Sequence, residues 1–185
     1  MLPSPIQGRV RIVQRFGERP EVYSQFGLAG HNGIDMTGEF RGVSVPILSP
    51  IEGTVTTMQN DGTKGYGRYL RIVTNSLDEK GRYKELTFAH LASYATGLKL
   101  GQIVYCGDKI GMMGGAAGMD GAGFSSGMHL HFGLRFLDKK KQVLNYNNGF
   151  KGSVDFLQYI LFLQDQAMMS QFVTYPYGKT VQPII

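Results

Sequence analysis

Five side chains suited to hydrolytic or metal chemistry fall into three groups by spacing. His129 and His131 sit in Met128-His129-Leu130-His131-Phe132-Gly133-Leu134, His31 and Asp35 sit in His31-Asn32-Gly33-Ile34-Asp35, and His90 sits in Phe88-Ala89-His90-Leu91. In the first stretch Leu130, Phe132 and Leu134 alternate with His129, His131 and Gly133. A strand of period two therefore sends the apolar set into a core and both imidazoles out of the other face. Same-face neighbours on a strand lie roughly 6.5 to 7 Å apart, close enough for one His to bind a metal while the other works on what that metal holds. His31 and Asp35 can both turn toward one ion if the backbone bends at Gly33. Taken singly, each group has a plainer reading: two solvent-facing histidines, a polar turn, and a capped histidine at a strand end.

The elements that must position these groups read as short strands. Residues 10 to 16 alternate as a first strand closed by Gly17-Glu18-Arg19-Pro20, and a glycine-punctuated loop, residues 26 to 30, leads into His31. Residues 43 to 58 form two β segments around a bend where Pro46 and Pro50 argue against a helix. Residues 69 to 73 and 86 to 91 are strands joined through a charged turn at residues 78 to 82. Residues 101 to 104 and 107 to 111 make two more. Residues 114 to 127, almost all small, are expected to be a mobile loop delivering the chain into the His129 strand. A hairpin through Asp138-Lys139-Lys140 returns at Val143-Leu144. Strands at this spacing predict a mainly β fold, an antiparallel sheet or sandwich. A helix is predicted only from Ser153 or Asp155 to about Met169, nearly all apolar over residues 156 to 163. The expected division is a β domain over 1–152 and a C-terminal helix and tail over 153–185.

Composition narrows the classes. An apolar content of 42% and a charged content of 18% exclude a disordered chain, and 26 glycines imply many turns. The net charge of +5 is spread out except at Lys139-Lys140-Lys141, which lacks the interleaved aromatics of a single-strand nucleic-acid platform, so no nucleic-acid partner is expected. Cys106 is the only cysteine, which excludes an internal disulfide and a cysteine-rich zinc site, and it is expected to be a buried small hydrophobe. No stretch approaches the roughly 20 apolar residues of a membrane span. Residues 1 to 5 carry neither the basic nor the apolar region of a secretory signal.

Together these segments resemble the lysostaphin-like (LytM-like, glycyl-glycine endopeptidase) zinc metallopeptidases that act on bacterial peptidoglycan. The resemblance runs from about residue 11 to residue 149. It rests on His31-Asn32-Gly33-Ile34-Asp35, Ser49-Pro50-Ile51-Glu52-Gly53-Thr54-Val55, Gly65-Tyr66-Gly67, Phe88-Ala89-His90-Leu91, Gly107-Asp108-Lys109-Ile110-Gly111 and Ser125-Ser126-Gly127-Met128-His129-Leu130-His131-Phe132-Gly133. By position it implies that His31, Asp35 and His131 are zinc ligands and that His90 and His129 are the catalytic pair. Two imidazoles and a carboxylate leave an open position on tetrahedral zinc, as a catalytic site needs. No His-Glu-x-x-His helix supplies a glutamate base, so an imidazole must replace it, His129 being the expected base and His90 the group for the oxyanion or leaving amine. Two departures bear on substrate choice: residues 114 to 125 are longer than the family's compact turn, and Met128 stands where proline is common. D-alanyl-D-alanine carboxypeptidases are a poorer match, because their first His and Asp are more widely spaced. A non-catalytic module is a poorer match too, because no ligand is missing here. With neither an export signal nor a wall-binding module recognised in the sequence, the protein is expected in a phage virion, at a tail tip, with residues 153–185 docking it to tail structural proteins. A secreted wall-remodelling enzyme is the alternative.

Overall fold

The structure, a computed structural model, describes residues 1–161. Its strands form where β-branched and aromatic residues alternate between glycine and proline turns. In order they are β1 (Leu2–Pro3), β2 (Val10–Gln14), β3 (Ile34–Gly38), β4 (Pro46–Leu48), β5 (Gly53–Asn60), β6 (Arg68–Thr74), β7 (Tyr83–Ala89), β8 (Leu91–Tyr94), β9 (Ile103–Val104), β10 (Lys109–Met113), β11 (Leu130–Leu137) and β12 (Ile160–Leu161). A single helical turn α1 (Pro20–Tyr23) and a 3-10 turn (Ser24–Phe26) lie between β2 and β3. One sheet runs β2-β3-β11-β7-β6-β5-β9 and a second runs β4-β10-β8, both antiparallel, while β1 and β12 pair in parallel. The chain thus adopts the mainly β, antiparallel fold that its spacing predicts.

One face of the large sheet makes the core. Ile34, Met36, Leu70, Ile72, Leu86, Phe88, Leu130, Phe132 and Leu134 bury there, in one cluster with Ile47, Leu91, Ile110 and Met113 of the smaller sheet. Phe132 stacks on Phe88 at 5.0 Å and meets Phe156 edge-on at 5.1 Å. Because side chains alternate, register fixes what lines the other face. His131 stands opposite Asp35 on β3 and Ala89 on β7, Gly133 opposite Thr87, and Arg135 opposite Glu85. On the far side of β7, Thr87 stands opposite Arg71 of β6.

Three expectations change. No α-helix starts at Ser153 or Asp155. Asp155 does accept the Leu157 N–H at 3.2 Å, but a 3-10 turn (Leu157–Tyr159) follows, and Ile160 pairs beside Leu2. Burial of Phe156 and Ile160 in the domain core, with a strand partner for the backbone, overrides the local helical pattern. The rest of the predicted helix lies outside the described residues. The stretch predicted as a mobile loop is instead tied through residues 121 to 124 to residues 62 to 68: Gly123 N–H to Gly62 O at 2.9 Å, Phe124 N–H to Gly65 O at 3.1 Å and Arg68 N–H to Gly121 O at 2.8 Å. Glycines on both segments allow this, since a Cβ on Gly67, at φ +62°, would meet Gly121 O at 2.0 Å and one on Gly123, at φ +61°, would meet Gly65 O at 2.3 Å. Finally, Cys106 is only partly buried, and burial and the nearby Asp108 push its thiol pKa up.

Candidate active site

The pairing of β3 with β11 brings the first three residues together. Asp35 and His131 face each other across the ladder, and His31 arrives from the loop before β3, its chain fixed by Gly17 N–H to His31 O at 2.8 Å. His31 Nε2 lies 2.8 Å from His131 Nδ1 and 3.1 Å from Asp35 Oδ1, and His131 Nδ1 lies 3.1 Å from the same oxygen. His31 is seated against the Arg15 carbonyl through Nδ1 at 3.1 Å, so that nitrogen holds the proton and Nε2 offers its lone pair to the cluster. A bare carboxylate and an imidazole lone pair at this distance repel unless a cation lies between them. Four-coordinate zinc with bonds of about 2.0–2.1 Å spaces its ligands about 3.3 Å apart, close to the donor triangle present here. The three residues therefore fit a metal ion, and they form a group of candidate ligands whose donor atoms lie within 4.8 Å of one another.

The family model described as peptidase family M23 matches residues 29–145, more than half of the chain and all five of these residues. The chain belongs to peptidase family M23. M23 enzymes are metallo-endopeptidases that act on peptidoglycan, and this chain is one by family. Solved structures share its fold. The catalytic domain of lysostaphin from Staphylococcus simulans is similar with a TM-score of 0.55 at 20% identity, over 80% of this chain and 90% of that one. LytU gives 0.55 at 27% identity, over 82% and 85%. Csd3 of Helicobacter pylori gives 0.52 at 29% identity, over 88% of this chain and 33% of that one. No curated protein matches the chain in sequence.

Around the M23 donor triangle stand the other two histidines. His129, bridged to Gly114 at the mouth of β11, bonds through Nδ1 to Gly127 O at 2.8 Å and lies 3.2 Å from Ser125 Oγ. Its Nε2 is thereby turned inward, 3.3 Å from Asp35 Oδ2. His90 lies between β7 and β8 with φ +61°, an uncommon conformation held by His90 N–H to Tyr66 O at 3.0 Å and Gly114 N–H to His90 O at 2.9 Å. Its ring packs 4.9 Å from that of His129 and 5.9 Å from that of His131. Two buried nitrogens, His90 Nδ1 and His131 Nε2, have no hydrogen-bond partner among the described residues. Unpaired buried nitrogens concentrated in one place mark a functional site more readily than a structural one.

The electrostatics follow from the crowding. Burial raises the Asp35 carboxyl pKa, but the imidazoles of His129, His131 and His31 packed against it outweigh that and hold the group well below the usual carboxylate range. Burial, then the neighbouring His131 and His129, push His90 down to about 3, so that ring is neutral at physiological pH. Burial disfavours charge on His129 as well, yet its bond to Asp35 prevails and raises it.

Several contributors have no chemical signature in the sequence. The Tyr23 ring packs 5.1 Å from His31, and the Tyr66 ring 5.1 Å from His131, its hydroxyl accepting from Asn32 Nδ2 at 2.7 Å. Phe26 and Phe124 meet at 5.0 Å and join the His31 side of the site to the His129 side. Arg68 reaches the Asp120 carboxylate and the Leu91 and Ala92 carbonyls, which fastens the 114–127 segment beside His90. Gly65-Tyr66-Gly67 was a motif before it was a contact; nothing marked Tyr23, Phe26 or Arg68.

Proposed function

We propose that this protein is a zinc endopeptidase that hydrolyses peptide cross-links of bacterial peptidoglycan, with His31, Asp35 and His131 as the zinc ligands and His129 and His90 as the catalytic pair. The observation that carries the reading is the donor triangle of edges 2.8, 3.1 and 3.1 Å with a fourth group, His129 Nε2, turned toward it. Zinc, when bound, supplies the Lewis acidity that polarises a peptide carbonyl and activates water. The protein supplies the rest. Gly127 O and Ser125 fix the His129 tautomer, leaving Nε2 as the base that takes a proton from water. His90, kept neutral by burial, stabilises the developing oxyanion or passes a proton to the leaving amine. The test is zinc content by elemental analysis together with muropeptide release from purified sacculi. His131→Ala should lose both, and a variant retaining full zinc and full activity would overturn the assignment.

We propose further that the place of action is a phage virion, at a tail tip. The substrate lies outside the cytoplasmic membrane, and residues 162–185 are rich in apolar side chains (Phe162, Leu163, Phe172, Val173, Tyr175, Tyr177, Ile184 and Ile185) suited to a structural partner. Phe156 and Ile160 belong to the domain core, so docking falls to the residues beyond Leu161. A chain ending at Leu161 should hydrolyse sacculi as fast as the full chain and be equally stable. Loss of either property would assign the tail to the enzyme itself and end the docking proposal.

A further inference from the structure

The sheet face that carries Asp35 and His131 also carries a charge imbalance. Arg135 donates to Glu85 Oε1 through Nε at 2.8 Å and through Nη2, which closes that ion pair. Arg71, from the neighbouring strand, comes no nearer than 3.9 Å to the same oxygen. Its Nε donates to Thr87 Oγ1 at 3.3 Å and its guanidinium lies 5.2 Å from the centre of the Tyr69 ring. Two guanidinium groups thus share one carboxylate, and Arg71 holds the surplus charge. Its side chain is 22% exposed, so water compensates that charge only in part, and among the described residues its two terminal nitrogens donate no hydrogen bond to a carboxylate. A cation withdrawn from water and short of a counter-charge is costly to keep, and an arriving anion relieves the cost.

The position matters as much as the charge. Arg71 pairs across to Thr87, Thr87 to Gly133, and Gly133 is two residues from His131. With strands about 4.8 Å apart and about 3.4 Å of rise per residue, the Cα atoms of Arg71 and His131 are about 12 Å apart, three to four residues of extended peptide. Tyr66 joins the two places, its ring 5.1 Å from His131 and 5.5 Å from Tyr69. Gly133, on the way, offers no side chain to obstruct an extended chain.

We infer that Arg71 is a specificity residue that binds a carboxylate of the substrate, so that the peptide cleaved is an acidic stem-peptide cross-link and not a neutral glycine bridge. The inference rests on the hydrolase reading above and adds the substrate class. A planar guanidinium with free donors, propped on an aromatic face and on a threonine hydroxyl, suits two-point recognition of a carboxylate.

The experiment compares a synthetic stem-peptide cross-link bearing free carboxylates with its carboxamide twin. Binding is read by calorimetry on the zinc-loaded full chain carrying His129→Ala, so the peptides are not consumed, and kcat/KM is read on the wild-type chain. The acid should be preferred about tenfold or more, the worth of a charge-assisted hydrogen bond. Arg71→Gln should bring that preference close to one while changing handling of the carboxamide by less than about threefold, and Arg71→Lys should restore part of it. Glu85→Gln, which releases Arg135, should move the preference the other way, upward. Equal binding of acid and carboxamide, or a preference that survives Arg71→Gln, would overturn the inference. Absence of cleavage with the binding preference intact would count against the hydrolase reading and leave Arg71 as a carboxylate-binding residue.

Discussion

Gly33→Ala tests the donor triangle by adding one carbon. A Cβ at Gly33 would lie 2.7 Å from His131 Cε1, 2.8 Å from its Nε2 and 2.8 Å from the Phe132 carbonyl oxygen. Carbon contacts settle near about 3.5 Å, so the overlap is about 0.7 Å. The carbonyl belongs to β11, which is paired on both flanks and cannot yield, and the His131 ring is 3% exposed and wedged between the rings of Tyr66 and His31. Either the ring or the loop that carries His31 must shift by several tenths of an ångström, which distorts a site that works only within about 0.5 Å. Overpacking of this kind costs about 1–3 kcal/mol of stability, and displacing what supports a ligand costs about 10- to 100-fold in metal affinity. Competition with a chromogenic chelator reads the affinity, and circular dichroism confirms folding. Gly127→Ala is the matched control, because its Cβ would meet nothing within 4 Å although it sits beside His129. Native zinc affinity and turnover in Gly33→Ala would show that His131 is not held where the reasoning needs it.

Other perturbations address other parts of the argument. His129→Ala and His90→Ala should keep zinc and lose roughly two to four orders of magnitude in turnover, the usual contribution of a positioned acid or base; a metal-free variant would mean the roles are divided wrongly. Phe156→Ala removes a fully buried ring that meets Phe132, and should cost about 3–5 kcal/mol and lower Tm by about 6–20 °C in a thermal scan. Arg68→Ala should release the 114–127 segment and lower kcat/KM with zinc content unchanged, measured on a soluble peptide. Asp78 is held at about 2 by the hydrogen bonds from Arg82, against an ordinary 3.8. Because the folded value lies below the unfolded one, its contribution is complete above about pH 5 and fades as pH falls through about 4 toward 2, and it is at most about 1 kcal/mol for a surface pair. Asp78→Asn should therefore lower stability near neutral pH and flatten the acid limb of a pH–Tm curve.

Much of the site was legible because its chemistry is concentrated in short motifs. His-x-His on an alternating strand gave the strand, its inward face and its two imidazoles, and the β3–β11 register then placed Asp35 beside His131. Gly33 lies in a bend, as its expected role requires, and it is also needed for the close approach of a ring, which no periodicity reveals. The C-terminal stretch misled because residues 156 to 163 carry helical propensity and an apolar face, and only tertiary contacts with Leu2 and Phe132 decide that residues 157 to 161 turn and extend. Small residues over 114 to 127 suggested looseness for the same local reason, while the arginine that fastens them lies far away in sequence. Arg71 was equally invisible, since its significance depends on which carboxylate Arg135 has already taken.

The parallel pairing of β1 with β12 has a mechanical meaning. Leu2 lies against Ile160 and Pro3 against Leu161, so the described chain begins and finishes on adjacent strands that point the same way. A force pulling β1 and β12 apart along the strand axis acts in shear and must break both rungs together, whereas a peeling force would break them one at a time. Leu2, Ile6, Phe156 and Ile160, all in the core cluster, anchor both flanks of this clasp. Tension applied across β1 and β12 therefore meets the clasp before it reaches β3 and β11.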